Sequence, residues 1–166
     1  GHIYSETLDN WKYIVGEKLF KDKRLSLTGN ISCNTCHREE FGTSEPIPLS
    51  IGHGGVGEGE TRILSNGEIL ARNTPSLINK GQPGIFRMFW DSRVFWHPRE
   101  QFYVTPIEGL NGDYPEFYEI VDVLSGPLAA QALFPLIAKE EMAGSEFENL
   151  PPEKMWALIT ENILSI

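Results

Sequence analysis

The chain has 166 residues, of which 40% are hydrophobic and 11% aromatic, and its formal net charge is -9. That length supports one domain with a real core rather than two. The acidity argues against nucleic acid and anionic membrane surfaces as partners, and no apolar run approaches the length of a membrane span.

Ser5 to about Lys21 reads as an amphipathic helix, with Ser5 or Thr7 as its cap and Leu8, Trp11, Ile14, Val15 and Leu19 recurring at helical spacing. A turn-rich stretch, Asp22 to Ser26 and Thr28 to Asn30, leads into Cys33-Asn34-Thr35-Cys36-His37, which holds both cysteines of the chain. C-x-x-C-H has the spacing of a c-type haem attachment site. The two thiols can each form a thioether to one haem vinyl group, and the adjacent imidazole then falls under the iron. His37 is thus the candidate proximal ligand. The alternatives are a redox dithiol, which would want a βαβ context, and half of a zinc site, which would want a second Cys/His cluster at matching spacing.

From Phe41 to Glu68 the chain is dominated by Gly, Pro, Ser and Glu, with five glycines between positions 52 and 59. This reads as an irregular loop, and it carries His53. Arg72-Asn73-Thr74-Pro75 has the form of a helix start, with Asn73 or Thr74 as cap and Pro75 at the first helical position. Phe86, Phe89, Trp90, Phe95 and Trp96 form an aromatic stretch suited to the core or a haem edge. Val94 to Pro127 is acidic and turn-rich. Leu128 to Leu136 reads as helical until Pro135, and Pro151-Pro152 opens a final helix with Met155, Trp156, Ile159 and Ile163 on one side. Strand-like alternation is scarce. The expected fold is therefore mainly α: a cytochrome c-like haem domain with long irregular loops and little or no strand, one unit over residues 1–166.

A haem with one histidine leaves a sixth iron position, and His53 and Met88 are the candidates for it. His53 lies among glycines, so its loop can move at low cost, which suits a displaceable ligand. Met88 lies in an aromatic run where a packing role is the simpler one. His97, before a proline, reads as a surface or structural histidine, and His2 is a weak ligand candidate at the extreme terminus. Covalent haem attachment takes place outside the cytoplasm, so the expectation is a periplasmic or otherwise extracytoplasmic chain whose leader has been removed. The acidity would then suit a basic partner such as a small electron-carrying cytochrome.

Taken in order, Val15–Phe20, Arg24–Ser26, Ile31–His37, Ser50–Gly54, Arg72–Leu77 and Phe89-Trp90-Asp91-Ser92-Arg93 resemble the N-terminal half of bacterial di-haem cytochrome c peroxidases and their MauG-type relatives. That half carries the peroxidatic haem. The resemblance implies that Cys33 and Cys36 hold one covalent haem c, that His37 is proximal, and that His53 closes the iron at rest and swings away on activation. It also implies that Asn73 helps bind calcium, an amide oxygen being a reasonable ligand, and that Trp90 lies between two haems as an electron relay; plain core packing is the other reading of Trp90. A distal glutamine and glutamate match Gln131 and Glu141, in Gln131-Ala132-Leu133-Phe134-Pro135 followed by Glu141-Met142, better than they match Glu100-Gln101. Glu141 would be the acid-base residue, its neighbour Glu140 leaving a one-residue ambiguity, and Gln131 would orient the peroxide. On this alignment 94–127 is largely an insertion.

Two departures stand out. Ser92 replaces the usual glycine of its motif, and no second C-x-x-C-H is present to hold the electron-donating haem. The implied activity is reduction of hydrogen peroxide, or a MauG-like oxidation, with electrons from a second haem domain or haem-bearing chain. The competing reading is a mono-haem electron-transfer or redox-sensing domain with His37 and His53 as a permanent ligand pair.

Overall fold

A computed structural model describes residues 10–99, 102–107, 120 and 123–165. The first helix, α1, spans Asn10–Lys21. His2, Leu8 and the capping candidates Ser5 and Thr7 lie outside the described residues, as do Glu100 and Gln101. Lys18 and Lys21 occupy the last turn of α1, where cations complement the helix dipole, and Lys21 pairs with Glu17 at 2.8 Å. Its main packing contact is with the short α2, Cys33–Cys36. Leu19 and Phe20, nearest that contact, are half-buried, whereas Trp11, Ile14 and Val15, expected on a buried face, are exposed.

The mainly α expectation does not hold. The described residues carry two small antiparallel sheets, one of two strands and one of three, so the class is mixed. In the first, β1 (Gly55–Val56) pairs with β2 (Ile63–Leu64). The glycines that argued for an irregular loop are what allow this hairpin, since Gly54 and Gly57 sit at φ 89° and 84°. The second sheet has the order β3-β4-β5, from Arg87–Met88, Val94–His97 and Phe102–Val104. Here aromatic and β-branched residues meet across strands, as in the Trp96–Tyr103 ring pair at 4.9 Å. The supposed turn-rich segment thus opens with two strands, Val94–His97 and Phe102–Val104, and Val94, its first residue, is fully buried.

The helix expected after Pro75 is also absent; 73–77 runs without regular structure. Its polar groups are drawn to the preceding loop instead. Thr74 N–H donates to Ser50 Oγ (2.6 Å) and Leu77 N–H to Thr43 Oγ1 (2.7 Å), which competes with helical bonding.

Further on, α3 covers Pro127–Gln131 and stops well short of Pro135. After a turn, Lys139–Ala143 forms a single π-turn, with Ala143 N–H donating to Ala138 O and Gly144 N–H to Lys139 O at 3.0 and 3.1 Å. The final helix, α4, spans Pro152–Leu164 and buries Met155, Trp156 and Ile159, as its periodicity requires. It packs on the 3₁₀ turn Lys23–Leu25, and Trp156 Nε1 donates to Leu133 O at 3.3 Å. One core cluster centres on Ile107, Trp156 and Ile159, another on Met88, Val94, Tyr103 and Ala130, and Phe134 touches both.

Candidate functional site

The Cys-x-x-Cys pair forms its own helical turn, α2. Ser32 opens it, its N–H donating to Thr35 Oγ1 at 3.0 Å, and His37 closes it, its N–H donating to Cys33 O at 2.9 Å. One turn thus carries both thiols and is closed by the histidine; both cysteines are unbridged and half-buried.

His37 is oriented by the loop that follows it. Its Nδ1 lies 3.0 Å from Thr43 O. A carbonyl only accepts, so Nδ1 carries the proton and Nε2 keeps its lone pair, the state a metal-ligating imidazole needs. Burial pushes the His37 pKa down, against the pull of the Thr43 and Pro75 carbonyls, so the ring is held neutral. Thr43 reaches this position at φ 61°, a left-handed conformation rare for a β-branched residue. Its side chain is clasped by Ser76 Oγ (3.2 Å) and Leu77 N–H, which maintain that backbone. Sequence reading missed Thr43 entirely; no side-chain pattern marks a residue that acts through its carbonyl.

The thiols lie in surroundings that disfavour charge. Burial pushes the Cys33 pKa up, and Cys36 is pushed up to about 12, by burial first and then by the carboxylate of Glu45, with Glu141 adding to it. Those two carboxylates therefore lie within electrostatic reach of Cys36.

Three segments converge here. Cys36 Sγ is 3.7 Å from Ile51 O, on the loop that carries His53. The His53 N–H in turn donates to Glu140 O at 3.1 Å, and a Cβ on Gly52 would stand 2.0 Å from that same oxygen and 2.8 Å from Glu141 Cα. The His53 loop thus lies directly on the π-turn that bears Glu141. Such turns recur at functional sites because they break the helical register locally. Burial raises the Glu141 pKa, opposed by the Arg93 cation and helped by Glu140. Its neighbour Glu140 lies 3.8 Å from Lys139 Nζ. The His53 ring is half-buried, its Nδ1 3.5 Å from Thr28 Oγ1.

Gln131, at the end of α3, has a buried Oε1 with no hydrogen-bond partner. A buried amide oxygen left unpaired costs about 1–3 kcal/mol, so this one can take a further donor. Two uncharged thiols and a neutral, anchored imidazole form a donor set that fits haem c.

The other candidates fall elsewhere. Met88 is 5% exposed in the core beside Val94 and Tyr103, a packing position. His97 ends β4, across from Phe102 and tilted against the Phe95 ring at 6.3 Å. Trp90 is 69% exposed, with the Arg72 guanidinium 4.2 Å from its ring centre, so it is no core residue. Phe89 and Ser92 flank it at φ 64° and 58°, a tight hairpin that turns Trp90 outward. Asn73 brackets two strands of loop: its Oδ1 accepts from Ser50 Oγ and its Nδ2 donates to Glu45 O, each at 3.0 Å. No group of three or more His, Cys, Asp or Glu side chains is gathered for a metal ion among the described residues. Arg93, quoted in a motif but given no role there, proves to lie near Glu141 and 3.8 Å from the Phe89 ring centre.

The chain is similar to known proteins over most of its length. The family model for di-haem cytochrome c peroxidase matches residues 11–157. The cytochrome c551 peroxidase of Pseudomonas aeruginosa is 37% identical over 82 residues, 48% of this chain and 19% of that protein. The methylamine utilization protein MauG of Methylorubrum extorquens is 33% identical over 93 residues, 56% and 22% of the two chains. A cytochrome c551 peroxidase of Nitrosomonas europaea is 37% identical over 80 residues, 48% and 20% of the two. The matched stretch thus spans only about a fifth of each relative's length (19%, 22% and 20%). With 147 consecutive positions of the sequence, 11–157, falling within the family model and the C-x-x-C-H turn among them, the chain belongs to the di-haem cytochrome c peroxidase family.

Proposed function

We propose that this chain is the peroxidatic-haem domain of a di-haem peroxidase or MauG-like oxidase. Cys33 and Cys36 attach one haem c and His37 ligates its iron through Nε2. His53 would be a displaceable second histidine ligand that makes way for hydrogen peroxide. The observation that carries the reading is that the Glu141 turn lies on the His53 loop, joined by the His53 N–H to Glu140 O bond, and that the same loop touches Cys36. A displaceable ligand and an acid-base group are thereby side by side.

Haem c, when bound, supplies the iron position that peroxide occupies and the redox chemistry of its reduction. The chain's own residues manage the protons. Glu141 takes the proton from one peroxide oxygen and returns it to the departing one, so the O–O bond breaks with water rather than hydroxide leaving. A second water forms with two electrons and two further protons, which balances the reduction. The raised pKa of Glu141 suits both halves of the task, since the carboxyl can hold the proton between them. The unpaired Gln131 Oε1 accepts the remaining peroxide O–H and orients it.

Electrons come from a second haem on another domain or chain, and the exposed Trp90 ring is suited to pass them because it stands at the surface where such a domain would pack. A small basic cytochrome as ultimate donor fits the net charge of -9, and the thioether chemistry goes with a periplasmic location. Calcium at Asn73 has thinner support: its amide is already spent on Ser50 and Glu45, so an ion there would need further oxygens. The single-unit organisation, with 94–127 as an insertion, remains part of this reading.

The test is Glu141→Gln in the haem-loaded protein with its electron-donating partner. Fast peroxide turnover should fall by about 100-fold or more while the haem spectrum stays near that of the parent. Unchanged turnover removes Glu141 from the role.

A further inference from the structure

The loop that carries His53 is not free to move. Glu45 and Arg62 lie beneath it, their side chains 0% and 4% exposed, with Arg62 Nε 3.2 Å from Glu45 Oε1. The guanidinium spends its donors on the loop backbone: Nε to Ile51 O at 2.9 Å, Nη2 to Gly52 O at 2.8 Å and Nη1 to Gly57 O at 3.1 Å. Glu45 Oε2 accepts the Ile51 N–H at 3.2 Å. Ile51 is thus held from both sides, by the carboxylate at its N–H and by the guanidinium at its carbonyl.

The glycine at position 55 belongs to the same device. A Cβ there would stand 2.5 Å from Arg62 Nη2, so only a glycine lets the loop close over the cation. The energetic logic is that of an irregular backbone: its carbonyls lack ladder partners, and a buried fork of donors satisfies three of them at once. A cation buried for that purpose needs its charge balanced, which Glu45 does.

We infer that Glu45 and Arg62 are positioning residues which hold the His53 backbone in register against Glu140 and Glu141 and so set how readily the His53 side chain leaves the iron. The inference rests on the reading of His53 as sixth ligand. Gly52 is the link: its carbonyl is fixed by Arg62, and the next N–H, that of His53, is fixed by Glu140 O. Both sides of that peptide unit are pinned, so the clamp holds the backbone of the resting arrangement. Without the clamp, the backbone moves and the resting ligation loosens.

The experiment compares Arg62→Gln, Arg62→Lys, Glu45→Gln and the charge-neutral double variant Glu45→Gln/Arg62→Gln in haem-loaded protein. Hydrogen exchange reads the backbone and the ferric optical and paramagnetic spectra read the spin state. Each single glutamine variant should speed exchange over 51–57 by about tenfold or more relative to α4 and increase the high-spin fraction. Arg62→Lys should recover part of both, because an ammonium keeps the charge and loses the fork. The double variant guards against an uncompensated buried charge unfolding the singles, and it should show the same local loosening. Exchange that rises equally in α4, or not at all, overturns the inference. His53→Ala separates the two layers of the reading. If it becomes high-spin while the Arg62 variants keep the parent spectrum, the clamp fails and the ligand stands. If His53→Ala keeps the parent spectrum, His53 is not the ligand, and the functional reading fails together with the link to ligation.

Discussion

Gly52→Ala probes the junction on which the proposed site depends. Gly52 has no left-handed φ, so alanine is strained there only by what it meets. What it meets is backbone: Glu140 O at 2.0 Å, Glu141 Cα at 2.8 Å and Glu140 C at 2.9 Å from the added Cβ. A comfortable C···O contact is about 3.3 Å, so the loop and the π-turn must part by about 1.3 Å, the excess over the 2.0 Å on hand. Neither side can yield by rotating a side chain. Overpacking of this kind costs about 1–3 kcal/mol, and the His53 N–H to Glu140 O bond goes with it at about 1 kcal/mol. A total near 3 kcal/mol lowers the melting temperature by about 6–12 °C in a domain of this size. Thermal denaturation of the haem-loaded variant measures that, and peroxide turnover measures whether His53 and Glu141 have separated. Gly16→Ala is the control, since a Cβ at Gly16 meets nothing within 4 Å. In mid-helix it should stabilise by about 0.5–1 kcal/mol. Gly52→Ala with the parent's stability and turnover would refute the junction.

Ser92→Gly should raise stability by about 0.5–1 kcal/mol, because Ser92 sits at φ 58° where a Cβ is penalised; denaturant titration that shows a loss would contradict this. Glu141 makes stability depend on pH. Burial lifts its pKa above the ordinary 4.5, so between those two values the folded chain binds more protons than the unfolded one and stability falls as pH rises. Denaturation of the parent and Glu141→Gln across that window should give a difference in favour of the glutamine that grows with pH and then levels, and a flat difference would count against the buried carboxyl.

Much of this was legible in the sequence where one residue type has one use. C-x-x-C-H marked the cysteines and histidine that α2 brings into one turn, and the Met155, Trp156 and Ile159 spacing marked the buried face of α4. The Gln131 to Glu141 spacing pointed to a residue with an orphaned oxygen and one with a raised pKa. The small sheets were missed because a strand of two residues leaves no alternation to read, as in Gly55–Val56 and Arg87–Met88. The helix start at Pro75 misled for a different reason. Asn73 and Thr74 are good caps, but they are equally good partners for a distant loop, and Ser50 and Glu45 lie beside them. Glu45 and Arg62 are 17 positions apart in sequence and carry no motif; only the fold puts the guanidinium under three carbonyls. The exposed Trp11, Ile14 and Val15 show the limit of periodicity, which finds an apolar face without saying what covers it.

The surroundings of the two thiols also bear on what they hold. A redox dithiol works through a thiolate, and proteins that use one depress its pKa with cations or a helix N-terminus. A zinc site likewise takes its cysteines deprotonated. Here the local field acts the other way: burial raises both groups, and Glu45 adds a negative charge beside Cys36, whose pKa reaches about 12. Arg62 pulls downward but is already committed to Glu45 and to the loop carbonyls, so it does not reverse the shift. A thioether carries no charge. Its sulfur can occupy this site at no electrostatic cost, and forming it from a neutral thiol leaves the buried Glu45–Arg62 pair balanced as before. The site therefore suits an uncharged thioether sulfur over a thiolate, the form on which both a redox dithiol and a zinc site depend.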